Sequence, residues 1–412
     1  MLLRTFTILA LLTLITTGAS ARADDWSAWR GPDRTGISKE QGLARSWPEG
    51  GPKLLWKTED IGEGFSTPSV AGGVLYVMGN KDKEEFVFAV DVKAEGKLLW
   101  STSLGSVRHQ GAGYPGPRST PTVDGPRIYS LGLNGDFVCL NAKNGKILWR
   151  HDLVKDFGGS IPTWGYSESV LIDGPWALCT PGGSQATLAA FNKMTGKPIW
   201  GSGVGDGAGY SSIIKADIGG VKQYLQFTAS ALIGVAAAGG KPLWRYEAPA
   251  NGTANASTPL VAGNKAFASS GYGTGGGAVN ITKSGTEFKA EEAFFTKQMK
   301  NHHGGMVLID GYIYGSDDPG VLTCVELATG ETKWRERKTG KCSLIALDGM
   351  MLITRSEQGK VCLVKISPDA AEVVGEFEQP DRTDKPSWAH PVVADGKLYL
   401  RDQGLLQCFD LK

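Results

Sequence analysis

A six-residue phrase recurs along this chain of 412 residues and restricts its fold more than any other feature. It reads Glu95-Gly-Lys-Leu-Leu-Trp100, Asn144-Gly-Lys-Ile-Leu-Trp149, Thr195-Gly-Lys-Pro-Ile-Trp200, Gly239-Gly-Lys-Pro-Leu-Trp244 and Thr329-Gly-Glu-Thr-Lys-Trp334. Lys53-Leu-Leu-Trp56 is an early partial copy, and degenerate copies place Lys289 and Phe377 at the Trp position. The spacings run from 43 to 51 residues. A period of ~40–50 residues punctuated by turns belongs to propeller blades or a solenoid. The 57 glycines supply the turns, without the G-X-Y period of collagen.

Each unit reads as four short strands, A to D. In the second, Ser119 to Val123 (A), Arg127 to Leu131 (B), Phe137 to Asn141 (C) and Ile147 to Trp149 (D) are separated by Asp124-Gly125, Asn134-Gly135 and Lys143 to Lys146. Asx-Gly pairs between β-rich runs are hairpin signals. The chain stops after a strand C, Leu405 to Asp410, and a strand D without its own unit stands at the other end, Pro52 to Lys57. If that strand completes the last unit, the count closes on eight. The expectation is an all-β, eight-bladed propeller of four-stranded blades over 52–412, its last blade closed by the N-terminal strand. A closed ring leaves no open sheet edge.

The phrase Ser-Thr-Pro, Asp-Gly, Leu-Asn-Ala, Asn-Gly-Lys-Ile-Leu-Trp, spread over Ser119 to Trp149, resembles the pyrroloquinoline-quinone (PQQ)-repeat propellers. That family includes quinoprotein alcohol dehydrogenases and the outer-membrane-assembly lipoprotein propeller. Trp26-Ser-Ala-Trp-Arg-Gly-Pro-Asp-Arg-Thr-Gly36, with Gly304-Gly305 after His302-His303, looks like an exported subfamily. The resemblance implies the fold, and PQQ and Ca²⁺ as candidate cofactors of an alcohol-oxidising enzyme. The family's dehydrogenases carry an adjacent Cys-Cys pair and a calcium-binding carboxylate in an early BC loop. This chain has no adjacent cysteines, and Thr180 to Gln185 holds no carboxylate; Glu168, Asp317 and Asp318 are the substitutes at hand.

Residues 1–23 read as a signal peptide: Arg4, an uncharged run from Thr5 to Thr17, then Ala21-Arg22-Ala23 before Asp24. The product is expected in the periplasm or outside the cell, cleaved near Ala23, with no transmembrane segment. Residues 24–51 form a Trp-containing extension whose path the sequence leaves open. A net charge of +1 offers no basic footprint for nucleic acid. Cys139, Cys324, Cys362 and Cys408 share one strand-C position. Stacked sheets lie ~10 Å apart, which is too far for a disulfide and predicts buried free thiols.

Strand parity puts the AB and CD turns on one face and the irregular DA and BC loops on the other. Function sits on loops carried by a rigid scaffold, which places the site at the channel mouth on the DA/BC face. The residues there, where the inner strands start, are Phe65, Arg118, Tyr166, Tyr210, Ala256, His303, Lys341 and Trp388. A second ring, mostly Thr or Ser, is broken by Glu168 and His390. The candidate ligand-binding residues are therefore Arg118, Tyr166, Glu168, Tyr210, His303, Trp388 and His390; no catalytic residue is assigned. A metal at His302, His303, His390 and Glu168 is the weaker reading, since neighbours on a strand point to opposite faces, and no metal ligand is assigned. The leading reading is a scaffold that binds a protein or a small molecule at the mouth. The alternative is a PQQ/Ca-dependent dehydrogenase-like oxidoreductase.

Overall fold

The computed structural model describes residues 25–412. The expected signal peptide and its cleavage site lie outside the described residues. The chain folds into eight sheets, seven antiparallel ones of four strands and one of five with a single parallel pairing, arranged as an eight-bladed propeller. The inner strands A are Ser69–Ala71, Thr122–Asp124, Leu171–Asp173, Ile214–Ile218, Leu260–Ala262, Met306–Ile309, Cys342–Leu347 and Val392–Ala394, for blades 1 to 8 in order.

The ring closes as its unmatched ends require. Leu54–Thr58 pairs antiparallel with Leu405–Asp410, in the register Leu54↔Phe409 and Trp56↔Cys408, and becomes strand D of blade 8. Short turns let B, C and D follow A without long loops: in blade 2, Arg127–Leu131, Asp136–Asn141 and Ile147–Asp152. The core is a ring of layers between blades. One layer packs Tyr76, Met78 and Val87 of blade 1 against Ile128, Val138 and Leu140 of blade 2. The largest spans blades 7, 8 and 1 across the seam and takes in Trp26 and Trp47.

The repeated phrase has a packing cause. Trp56, Trp100, Trp149 and Trp200, each near the middle of an outer strand, lie over the CD-turn glycine of the next blade. A Cβ on Gly145 would sit 2.5 Å from Trp100, one on Gly196 would sit 2.8 Å from Trp149, and one on Gly240 would sit 2.3 Å from Trp200. The indole N–H then donates to a carbonyl in or beside that turn: Trp100 to Ala142 O (3.1 Å), Trp149 to Lys193 O (3.0 Å), Trp334 to Ser367 O (2.9 Å). Gly and Trp are thus two halves of one inter-blade contact, one in each blade.

Two sequence assignments need correction. A bulge before each Trp skips one residue of strand D, so Trp149 faces Cys139 and Trp334 faces Cys324. The same register puts Phe294 opposite Ala278 in blade 5 and Gly375 opposite Leu363 in blade 7, so Lys289 and Phe377 are not at the Trp position. At Gly375 the space is filled from elsewhere, by Trp47, whose Cβ lies 2.7 Å from where a Gly375 Cβ would be. Cys362 is also one residue off the shared cysteine position and faces Glu376. All six cysteines are buried and free.

The first part of the N-terminal extension enters the central channel. Trp26 bridges Val70 of blade 1, Ser27 O accepts from Val123 N of blade 2, and Arg34 donates to Ser169 O (2.6 Å) and Val170 O (2.9 Å) of blade 3. Arg30 donates to Met306 O of blade 6 and to Thr35 O. Ile37–Ser38 then pairs in parallel with Cys342–Leu347, as the fifth strand of blade 7. Both guanidiniums are buried, and burial lowers each pKa to about 10. Backbone carbonyls of the inner strands and of the segment itself solvate them in place of water.

Candidate functional site

With the axis filled, the channel mouth becomes a blind cup of about 370 Å³, within the ~300–1,000 Å³ of small-molecule sites. Its floor is Trp29, which packs on His390 (ring centroids 4.5 Å apart) and donates Nε1–H to Thr258 Oγ1 at 2.9 Å. DA loops and strand-A starts supply Phe65, Tyr114, Arg118, Trp164, Tyr210, His302, His303, Lys341 and Trp388 to its walls; BC loops supply Tyr272 and Glu357. An aromatic arc runs from Tyr114 to Trp388 (4.8 Å) and from Trp388 to Phe65 (4.6 Å).

Of the residues singled out in the sequence, Arg118, Tyr210, His303, Trp388 and His390 line this cup together; Tyr166 and Glu168 do not. Tyr166 is buried beneath it, its hydroxyl donating to Pro181 O at 2.7 Å. Glu168 turns into the blade and accepts from Thr180 N at 2.7 Å. Trp29, Tyr114, Trp164, Tyr272, His302 and Glu357 belong to the cup and were not nominated as ligand contacts. Glu357 follows strand B of blade 7 and was findable: it is a charged residue in a BC turn, on the face already chosen for the site.

One polar network covers a wall. Glu357 Oε1 accepts from His303 Nε2 (2.7 Å) and Trp388 Nε1 (2.9 Å), with Lys341 Nζ at 3.4 Å. Burial alone would raise the Glu357 pKa, but the His303 hydrogen bond and charge, Lys341 and Trp388 bring it down to about 2. Lys341 also reaches Asp318 (3.3 Å) and donates to His302 Nδ1 (2.7 Å). His302 Nε2 is left to donate to Tyr272 Oη at 2.9 Å. Burial and the neighbouring His303 and Lys341 charges hold the His302 pKa near 3, which keeps it neutral. His390 is neutral for the same first reason, burial, with Arg30 adding to it, and its pKa is about 3. Its Nε2 lies 3.0 Å from His303 O and must donate, so its buried Nδ1 is an acceptor with no partner.

His303 and Glu357 have the arrangement of a general base with its orienting carboxylate. No hydroxyl or thiol among the described residues is hydrogen-bonded to His303, and its buried Nδ1 has no partner. Calcium takes six to eight oxygen ligands. The cup offers one lining carboxylate, already engaged by two donors and a cation, and no cluster of metal-ligating side chains occurs among the described residues. The donor set therefore does not fit the calcium site that quinone-dependent alcohol oxidation requires.

Below the cup, burial raises the Glu168 pKa to about 7, partly offset by Thr180 and Arg34, and Oε1 has no partner. The folded state thus holds a proton that the unfolded chain has released. This contribution to stability is full below about 4.5, falls as pH rises through about 7 and is flat above. Glu168→Gln is expected to gain on the native chain by up to about 3 kcal/mol between pH 5 and pH 8.5, measured by urea unfolding. An equal difference at both pH values would mean that Glu168 titrates normally.

The fold and repeat define the class: a PQQ-like repeat β-propeller. Residues 83–336 match the PQQ_2 family model, described as outer membrane protein assembly factor BamB, and the chain belongs to that family. It is 27% identical over 177 residues to outer membrane protein assembly factor BamB of Salmonella typhimurium, a match covering 38% of this chain and 41% of that one. The chain therefore matches less than half the length of that relative. Among solved structures, quinohemoprotein alcohol dehydrogenase from Comamonas testosteroni superposes with a TM-score of 0.66 at 13% identity, over 95% of this chain and 81% of that one. A europium-containing methanol dehydrogenase gives 0.65 at 12% identity, over 92% and 89%. At these identities the likeness is one of fold.

Proposed function

We propose that this protein is an exported binding propeller that captures a compact ligand in the channel-mouth cup. The observation that carries this reading is the floor. Trp29 of the N-terminal segment seals the channel beneath six lining aromatic residues, Phe65, Tyr114, Trp164, Tyr210, Tyr272 and Trp388, and makes a concave pocket out of a pore. A through-channel would drain; a blind aromatic cup desolvates what enters it. A protein partner would need a broad face, whereas the convergent groups here lie inside a cavity sized for a small molecule. An exported location follows from the amino-terminal pattern, and kinship to an outer membrane assembly factor supports it. Among the described residues no helix is long and apolar enough to cross a membrane.

The test uses the rings themselves. Three of the lining residues are tryptophans, so ligand entry is expected to change intrinsic fluorescence and raise the melting temperature in a screen of small metabolites. Trp388→Ala is expected to weaken any hit at least ~10-fold, because Trp388 stacks in the wall and fixes Glu357. A hit that binds the variant equally well is bound elsewhere, and the cup is then not the site.

A further inference from the structure

The cup is electrically lopsided. Arg118, at the start of blade 2, donates Nη2–H to Tyr114 O (2.7 Å) and Nη1–H to Gly116 O (3.0 Å), and its guanidinium lies 5.3 Å from the Phe65 ring centroid. No carboxylate among the described residues reaches it. Burial lowers its pKa to about 10, with only Tyr210 opposing, so it stays charged at neutral pH. The other cation of the wall, Lys341, faces Glu357 and Asp318. Arg118 is thus a largely desolvated guanidinium with most of its donors unused and no counter-charge. That arrangement is a receptor for a carboxylate or similar anion.

The free acceptor comes from another blade: Glu357 is in the BC turn of blade 7, three blades round the ring from Arg118 in blade 2. Glu357 Oε2 accepts no hydrogen bond from the described residues, whereas the unpartnered His390 Nδ1 is buried out of a ligand's reach. A ligand that satisfies Glu357 Oε2 must bring a donor, and Trp29 and Trp388 offer stacking faces in the same cup. A planar aromatic acid has the carboxylate and the flat face but no hydroxyl for that acceptor. A neutral sugar has the hydroxyls but leaves Arg118 unmatched.

Given that the cup is a small-ligand site, we propose that it takes a polyhydroxylated carboxylate of sugar-acid type. The carboxylate sits on Arg118, a hydroxyl donates to Glu357 Oε2, and the C–H face of the ring lies on the tryptophans. Lys341 and His303 hold Glu357 ionised for this task.

Calorimetric titration of the full chain with glucuronate, glucose, benzoate and pyrroloquinoline quinone tests the assignment. Glucuronate is expected to bind ~10-fold or more tightly than glucose or benzoate. Arg118→Gln is expected to reduce glucuronate to the level of glucose, and Arg118→Lys, which keeps the charge without the fork, to an intermediate level. If Arg118→Gln unfolds, the Lys variant and Glu357→Gln, which is expected to weaken both sugars, carry the test. Equal binding of glucose and glucuronate overturns the proposal, as does tighter binding of benzoate or the quinone. If none of the four binds while the metabolite screen yields a ligand lost in Trp388→Ala, the ligand class falls and the small-ligand reading stands. If nothing binds in either experiment, both fall.

Discussion

Replacing Arg401 with methionine is expected to lower the unfolding free energy by about 3–5 kcal/mol. Arg401 is on strand B of blade 8, Lys397–Asp402, and is 1% exposed. Its Nη1 donates to Ser66 O (2.9 Å) and Met78 O (2.6 Å), its Nη2 to Gly62 O (3.0 Å) and its Nε to Gln403 O (2.8 Å). Gly62, Ser66 and Met78 all belong to blade 1 or the segment leading into it. One side chain therefore stitches the last blade to the first, on the inner side of the seam that Leu54–Thr58 closes on the outer side. Burial pulls the guanidinium pKa down to about 9 despite the neighbouring Asp402 charge, so the cost of taking the cation out of water is already part of the folded state. Methionine restores the apolar volume but leaves these buried carbonyls without donors, at ~1–3 kcal/mol each. Lysine, with one donor centre, should lie between the two. Urea unfolding followed by tryptophan fluorescence reads the difference. A loss below about 1 kcal/mol for the methionine variant would show that the pairing of Leu54–Thr58 holds the seam without help from the inside.

The ring and its closure were legible because the information is local. Hairpin turns announce themselves in two residues, and a strand missing at one end and spare at the other can be matched by counting. Register was less legible. The bulge in strand D costs one residue, and at blade 7 the expected indole comes from Trp47, more than three hundred residues away in sequence, over the bare Gly375. The plug was not legible at all. Residues 25–40 carry no periodicity, and their order comes from scattered contacts such as Arg34 with Ser169 and Val170. The candidate site was read in part, for the same reason. Aligning the inner strands placed Arg118, Tyr210, His303 and Trp388 on one rim. It could not show that Tyr166 is drawn under that rim by Pro181 O, or that Trp29 would supply the floor.

Replacing Trp149 with alanine is expected to lower stability by about 3 kcal/mol, and the reason can be isolated by a second substitution. Trp149 meets Phe137 edge-on at 4.9 Å, lies over the CD-turn Gly196 of blade 3 and donates to Lys193 O at 3.0 Å. It is half-buried, so about 120 Å² of ring area at ~25 cal/mol/Å² gives ~3 kcal/mol. Trp149→Phe keeps most of the area and loses the N–H, at about 1 kcal/mol. Gly196→Ala attacks the same contact from the other blade. At a φ of 75° its backbone is one that alanine adopts only with strain, and its methyl would stand 2.8 Å from the indole. The strain, ~1 kcal/mol, belongs to the turn alone, whereas the collision needs the indole. In the Trp149→Ala/Gly196→Ala double variant the collision disappears and the strain remains, so the double variant should be more stable than the sum of the single losses predicts, by ~1 kcal/mol or more. Strictly additive losses would mean that the two residues do not share a contact, and the packing account of the repeated Gly-Lys phrase and its Trp would fail at every blade built the same way.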